Sequence, residues 1–181
     1  MIAAMDRRRV IGKKDGGIPW HLPRDVRHFR EYTRGKHLLL GRRTYEEMKG
    51  WFSDQTPIVM THDREYQVED GKTAHSVEEA VTEAFEEGAG ELVVAGGARI
   101  FAAALPYADE LVLTRVDTDA IRGTESLEGV PQFPDYEEEI VWETESEDHF
   151  APDAENDVPM AFVRLRRVHP SSLRPRRFHL L

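Results

Sequence analysis

An α/β fold is what this sequence predicts: a mostly parallel twisted sheet of about eight strands, flanked by about four helices and closed by an antiparallel C-terminal hairpin. Three observations predict it. Short β-type runs alternate with helical stretches along most of the 181 residues, the pattern of a parallel sheet covered by helices. The last two β-type runs are long, lack an intervening helix and are joined by the acidic, turn-rich stretch 146–158, which reads as a hairpin. One core can absorb most of such a length, so residues 1–168 are expected to form a single domain. From residue 169 the chain turns basic, with Arg174, Arg176 and Arg177 on an otherwise acidic body, and 169–181 is expected to be a disordered tail.

Strands are expected at 2–5, 37–41, 57–61, 92–96, 110–116, 138–145 and 159–168, and helices at 24–33, 43–49, 77–87 and 98–105. The first helix has a definite start, because Pro23 suits a first helical position and pushes Leu22 into an extended conformation. Arg42, Arg43 and Thr44 open the second directly after a strand. For the third, Ser76 and Glu79 have capping-box spacing, and Val77, Ala80, Val81 and Ala84 make one apolar stripe. Gly96-Gly97 separates an apolar strand from the fourth.

Composition narrows the chemistry. There is no cysteine, which removes disulfides, thiolate metal sites and thiol nucleophiles. No run approaches the ~18 apolar residues of a membrane span, and the start of the chain, with Arg7-Arg8-Arg9, lacks a signal-peptide layout. A cytoplasmic protein is expected. The formal charge of -10 argues against nucleic acid as a partner and for a small molecule; a monomer is expected. Only five of 24 basic residues are Lys, and acidic surplus with scarce Lys suits a halophilic source. His21, His28 and His37 lack metal-site spacing, so no metal is expected.

The most informative segment is Ile18-Pro19-Trp20-His21-Leu22-Pro23-Arg24-Asp25-Val26-Arg27-His28-Phe29. Asp25 falls in a helix's first turn, where the helix dipole favours a carboxylate. It reads either as a solvated first-turn acid or, with Trp20 and Phe29 beside it, as the lone acid of a dry pocket. Gly12, Gly16 and Gly17 give the preceding loop the freedom to hinge and close over a site; a plain flexible connection is the alternative.

Four motifs, in order and spacing, resemble the dihydrofolate reductase family. They are Pro-Trp-x-Leu-Pro-x-Asp at 19–25, Leu40-Gly41-Arg42-Arg43-Thr44-Tyr45, Ala95-Gly96-Gly97-Ala98-Arg99-Ile100-Phe101, and Leu113-Thr114. With Phe133-Pro134-Asp135-Tyr136 before the final hairpin, the likeness runs from Ile2 to about Val168. It implies a dihydrofolate reductase-like fold and NADPH-dependent reduction of 7,8-dihydrofolate to 5,6,7,8-tetrahydrofolate, with hydride to C6 and a proton to N5. By this resemblance Asp25, Trp20 and Thr114 are the catalytic residues. Asp25 would grip the pterin's 2-amino group and ring nitrogen through paired hydrogen bonds and promote N5 protonation through a water near Trp20. Thr114 would place its hydroxyl on Asp25. Ile2, Ala4, Val26, Phe29, Met48, Phe52, Ala95 and Phe101 would line the substrate site, Phe101 standing where the family often has tyrosine.

Ala4 again, with Ile11, Gly12, Ile18, Gly41, Arg42, Arg43, Thr44, Thr61, His62, Gly96, Gly97, Ala98, Arg99 and Ile100, would hold NADPH, the two glycines through a cis bond. Amides at two helix starts suit the phosphates. Arg99, Thr61, His62 and Arg64 would collect the 2′-phosphate, with Arg64 ranked below Arg42 and Arg43. Two departures stand out. Gln55 occupies the place of the arginine that clamps the substrate's glutamate carboxylate, leaving Lys49, Arg27 or Arg30 to reach over. The first strand also starts a few residues later than is usual in the family. Competing readings are a same-fold reductase of another pteridine or of a riboflavin-pathway pyrimidine, and a non-catalytic NADPH- or pterin-binding protein.

Overall fold

Strands buried on both faces read as unbroken apolar runs, and Leu38, Leu39 and Leu40 are all fully buried. In a computed structural model describing residues 1–120 and 126–169, they form the middle of β2. The elements follow as β1 (Ile2–Met5), α1 (Pro23–Thr33), β2 (His37–Gly41), α2 (Arg42–Glu47), β3 (Thr56–Met60), β4 (Lys72–Ala74), α3 (Val77–Glu86), β5 (Leu92–Gly96), α4 (Ala98–Ala104), β6 (Glu110–Val116), β7 (Trp142–Phe150) and β8 (Met160–Arg167), with a 3-10 turn at Leu105–Tyr107. The hydrogen-bonded ladders make two four-stranded halves, β1-β6-β8-β7 and β4-β3-β2-β5, and β1 lies against β5 where they adjoin. All pairings are parallel except β6 with β8 and β7 with β8.

Alternation along the strands sends side chains to two apolar layers. Leu39, Ile58, Val94, Leu111 and Leu113 join α3 and α4 on one face; Leu38, Leu40, Val59, Val93 and Val112 pack on the other with Phe29 and Tyr32 of α1 and Tyr45 of α2. The α3 stripe is as expected, with Val77, Ala80 and Ala84 buried. The capping box differs by one residue: Ser76 accepts from the Glu79 amide at 3.1 Å, but the Glu79 carboxylate accepts from the His75 amide, at 2.6 Å. Among the described residues no helix is long and apolar enough to cross a membrane.

Most boundaries fall within two residues of expectation, the ordinary scatter of element ends. Two strands do not. β4 has three residues and no apolar pattern; it exists because Gly71 lets the chain pass close to β3, where a Cβ would lie 2.3 Å from the Pro57 carbonyl oxygen. β7 was expected at 138–145 and lies at Trp142–Phe150, so its second half runs into the stretch read as turn-rich. It is an edge strand paired only to β8, and exposed edges carry charge that deters further pairing, so its acids are strand residues on a solvated edge. Of the expected basic tail, all but His169 lies outside the described residues.

Candidate active site

α1 owes its position to an apolar underside and its start to Pro23. Asp25, in the first turn, is set against the sheet where β1 and β6 run side by side with Ala4 opposite Thr114. Asp25 retains some open surface, yet the protein packed around its carboxyl pushes the pKa above the ordinary 3.8, and the Thr114 hydroxyl, which hydrogen-bonds it, offsets part of that rise. Thr114 itself is buried. Trp20 packs against the cluster of Leu22, Val116 and Met160, as do Ala4 and Phe162, and its indole Nε1 is buried without a hydrogen-bond partner among the described residues. Asp25 is thus a desolvated acid with the hydroxyl of the neighbouring strand upon it.

Around this centre the expected substrate residues take different stations. Ile2 is buried, and Phe29, Met48, Phe52 and Ala95 are partly buried in the layer beneath α1 and α2. Phe29 tilts against Trp51 at 5.2 Å between ring centres, and Phe52 stacks on Tyr45 at 5.8 Å. Val26 is 44% exposed. Phe101 is buried against Phe133 at 4.8 Å, and a Cβ on Gly96 would stand 3.3 Å from its ring. Phe101 therefore backs the two-glycine turn from the core side.

The Gly96–Gly97 bond is cis, with Gly96 at a φ of 119° that side chains rarely adopt. A Cβ on Gly97 would lie 3.1 Å from the Thr44 hydroxyl, and one on Gly41 would lie 3.0 Å from Ile100. The ends of β2 and β5 thus form a side-chain-free cradle in which Leu40 pairs with Gly96. Arg42, Arg43 and Arg99 are exposed at the two helix starts, Ala98 is partly covered, and His62 is exposed beside buried Thr61. The leading guanidiniums already meet acids: Arg42 faces Asp63 at 3.5 Å and Arg43 faces Glu47 at 3.3 Å.

The glycine loop is a tight turn, with the Lys13 amide on the Gly17 carbonyl at 2.9 Å and the Gly17 amide on Glu47 at 3.4 Å. Gly12 is buried, Ile11 partly buried, and Ile18 57% exposed. A separate cavity of about 710 Å³ opens near the ends of β1 and β6, lined by Met5, Arg115, Tyr136 and Met160 among others; no expected site residue lines it.

Sequence reasoning missed the inward orientation of one polar group and the roles of two more. Gln55 is buried, its carbonyl accepting the Ser53 and Asp54 amides at 3.0 and 3.3 Å, so it faces inward. Asp6 is a buried carboxylate taking the Arg8, Val10 and Ala120 amides. Asn156 is fully buried and bonds the backbone of α1. The pattern Asp153-x-x-Asn156, two turn-forming residues, was the signal available for the last; the other two carried none.

The profile of the family described as dihydrofolate reductase matches residues 1–167. A dihydrofolate reductase type 3 from Salmonella typhimurium is 36% identical over 167 residues, covering 92% of this chain and 96% of that protein. The dihydrofolate reductase of Bacillus subtilis is 32% identical over 172 residues, covering 94% and 95%. Among solved structures, a dihydrofolate reductase from Enterococcus faecalis complexed with NADP(H) and RAB-propyl superposes with a TM-score of 0.77 at 33% identity, covering 93% of this chain and 95% of that one.

Proposed function

The chain belongs to the dihydrofolate reductase family, and from that membership we propose its reaction: it reduces 7,8-dihydrofolate to 5,6,7,8-tetrahydrofolate with NADPH. The observation that carries the reading is the desolvated Asp25 carboxyl with the Thr114 hydroxyl upon it. A buried carboxylate is costly unless it is hydrogen-bonded. The amino group and adjacent ring nitrogen of a pterin present two donors in a row, which a carboxylate accepts as a bidentate pair.

Each residue then has a task. Asp25 binds and orients the ring, and its raised pKa brings it nearer to sharing a proton with the substrate. Thr114 holds the carboxylate in one rotamer. Trp20 offers its unpartnered indole N–H to the oxygen that carries the proton toward N5. Phe29 and Phe52 give the heterocycle apolar walls, and the Ala95 carbonyl ends β5 beside the cradle.

The cradle fits a dinucleotide: Gly41, Gly96 and Gly97 leave room for close backbone approach, and Arg42, Arg43 and Arg99 supply positive charge for phosphates. Bound NADPH supplies the hydride. Thr44 beside Gly97 orients the chain at that point, and Thr61 and His62 lie on the side of Arg42 and Asp63, where a 2′-phosphate would be read.

The cysteine-free composition supports a cytoplasmic setting. Salt tolerance is supported by the exposed acids of β7, Glu143, Glu145, Glu147 and Asp148: activity and Tm are expected to hold or rise as KCl enters the molar range, and a fall in both removes that reading. The function itself is tested by NADPH oxidation with dihydrofolate. The parent protein turns over and Asp25→Asn loses about a hundredfold or more in kcat at neutral pH, the usual worth of a positioned acid. A parent without turnover, or a variant equal to it, refutes the assignment.

A further inference from the structure

The helix that carries Asp25 begins without a side-chain cap of its own. Leu22 stands at the cap position and Pro23 has no N–H, so the first amide needing a partner is that of Arg24. It donates to Oδ1 of Asn156 at 3.1 Å, from a loop 132 residues further along the chain. Asn156 is fully buried, and all its polar groups are used. Its backbone and side-chain N–H groups donate to Asp153 Oδ1 at 2.9 and 2.8 Å, and its carbonyl accepts the Asp153 amide at 2.9 Å. Asp153 also meets the Arg24 guanidinium at 2.8 Å, and Glu155 meets Arg27 at 3.2 Å. The loop between β7 and β8 therefore grips the first turn of α1 through backbone and side chain together.

We propose that Asn156 is a positioning residue for Asp25: by capping α1 from outside the helix, it holds the first turn that carries the acid and so the direction in which the carboxyl points. The inference rests on the reading of Asp25 as the acid that binds the pterin. The geometry is economical. Arg24 and Asp25 share the first turn of the helix, so a cap that keeps this turn from fraying also limits how far the Asp25 side chain can swing. The other side of the carboxyl is set by Thr114, which pairs in register with Phe162 of β8. His28, one turn along α1, stacks on that same Phe162 at 4.1 Å. The closing hairpin thus holds α1 at its first turn and again at its middle. The charged and titratable groups about the cap are Arg24, Arg27 and His28 on α1 and Asp153 and Glu155 on the loop; Thr114 is the group on Asp25 from β6.

The test uses the full chain, with Asn156→Ala and the exchange Asp153→Asn with Asn156→Asp, which keeps both the capping oxygen and the net charge. Two quantities are read at a temperature where each variant is folded. One is the titration of the Asp25 carboxyl, by carbon-13 NMR of the substrate-free protein, assigned with Asp25→Asn; the other is kcat/KM for dihydrofolate. In Asn156→Ala the Asp25 midpoint moves down toward the ordinary carboxylate value as the turn frays into water. Its kcat/KM falls about five- to tenfold, the worth of a lost cap, with KM for NADPH unchanged. The exchange restores both quantities. Any other combination overturns the proposal, including a lower Tm with titration and kcat/KM both unmoved, which marks Asn156 as a support of the fold alone. If a variant does not fold, Asn156→Ser, which keeps a smaller acceptor, takes its place under the same criteria. The titration needs no turnover, so a parent protein inactive on dihydrofolate would refute the reaction while the coupling of Asn156 to Asp25 was still measured.

Discussion

Replacing Gln55 by arginine looks from the sequence like a repair of the missing carboxylate clamp, but the structure turns it into a destabilising change. The Gln55 carbonyl accepts the amides of Ser53 and Asp54, and its NH₂ approaches the Thr33 hydroxyl at 3.5 Å, which itself donates to the Phe29 carbonyl at 2.8 Å. Arginine has donors only. Kept in place, it leaves two amides without an acceptor and sets a cation at a position that is 9% exposed. Each orphaned buried donor costs about 1–3 kcal/mol; both bonds are only part-buried, so water recovers some of this and the total comes to about 1–3 kcal/mol. That is a large part of a stability of about 5–15 kcal/mol. Urea unfolding of Gln55→Arg is expected to show a lower midpoint with unchanged slope. KM for dihydrofolate is expected to fall only as far as the guanidinium swings outward. A variant that unfolds at the parent midpoint refutes the turn-holding role. One that also leaves KM untouched shows that position 55 is not beside the glutamate tail.

Three further outcomes follow from the same geometry. The folded-state pKa of Asp25 is raised above 3.8, so its stabilising protonated form is present at lower pH and is lost as pH rises through the folded value. Asp25→Asn is therefore expected to be more stable than the parent at neutral pH, by about 1.4 kcal/mol per unit of elevation, with the gap closing as pH falls toward 3.8; a gap independent of pH in urea titrations contradicts this. Asp63 faces Arg42 at 3.5 Å with both side chains about half exposed, so Asp63→Asn is expected to lower KM for NADPH about two- to fivefold, the worth of an exposed pair, with little change for NADH. Equal effects on the two cofactors would show that Arg42 does not read the 2′-phosphate. Lys49 and Arg27 are paired with Glu46 and Glu155, whereas Arg30 rests over Trp51 at 4.8 Å. Arg30→Ala is expected to raise KM for dihydrofolate about two- to fivefold, the worth of an exposed ion pair, and to spare a dihydropterin without the glutamate tail; parallel effects on both substrates remove Arg30 as the clamp.

The sequence made legible those features whose cause is local. Pro23 marked the start of α1 to within a residue, Ser76 marked that of α3, and Leu38 to Leu40 read as a buried strand because both faces of β2 are covered. The strands at the edges were harder. β4 depends on one close backbone approach at Gly71, and β7 is stabilised by pairing to β8 while its side chains between Trp142 and Phe150 stay in water, so neither leaves the apolar periodicity that sequence reasoning detects. In the site, Asp25, Trp20 and Thr114 were legible through a motif; the structure puts the Thr114 hydroxyl on Asp25 and seats Trp20 against the layer of Leu22, Val116 and Met160. Asp63, which meets Arg42, and Asn156, which caps α1, were not, because each acts through a partner remote in sequence; Glu47 lies one helical turn from Arg43, a spacing the sequence displays but sequence reasoning passed over.

That division has a consequence for substrate choice. The half of the site that handles the cofactor is built mainly from backbone: a cis bond, three glycines and two helix starts, whose geometry few single side-chain changes disturb. The half proposed to receive the pterin is built from side chains on α1 and the loop after α2, and there Gln55, at the place expected for a cationic clamp, faces inward as an amide. On the proposed reading a single carboxylate, Asp25, would orient the ring, while the tail of the substrate would be left to exposed groups such as Arg30 over Trp51. Exposed contacts contribute less than buried ones and weaken with salt. Discrimination between dihydrofolate and a tail-less pterin should therefore be narrow and should shrink further as KCl is raised, whereas the loss caused by Asp25→Asn, arising in a desolvated spot, should persist. If the ratio of kcat/KM for the two substrates proves large and constant across salt, the tail is held by a buried cation, and the assignment of the exposed α1 face to that task is wrong.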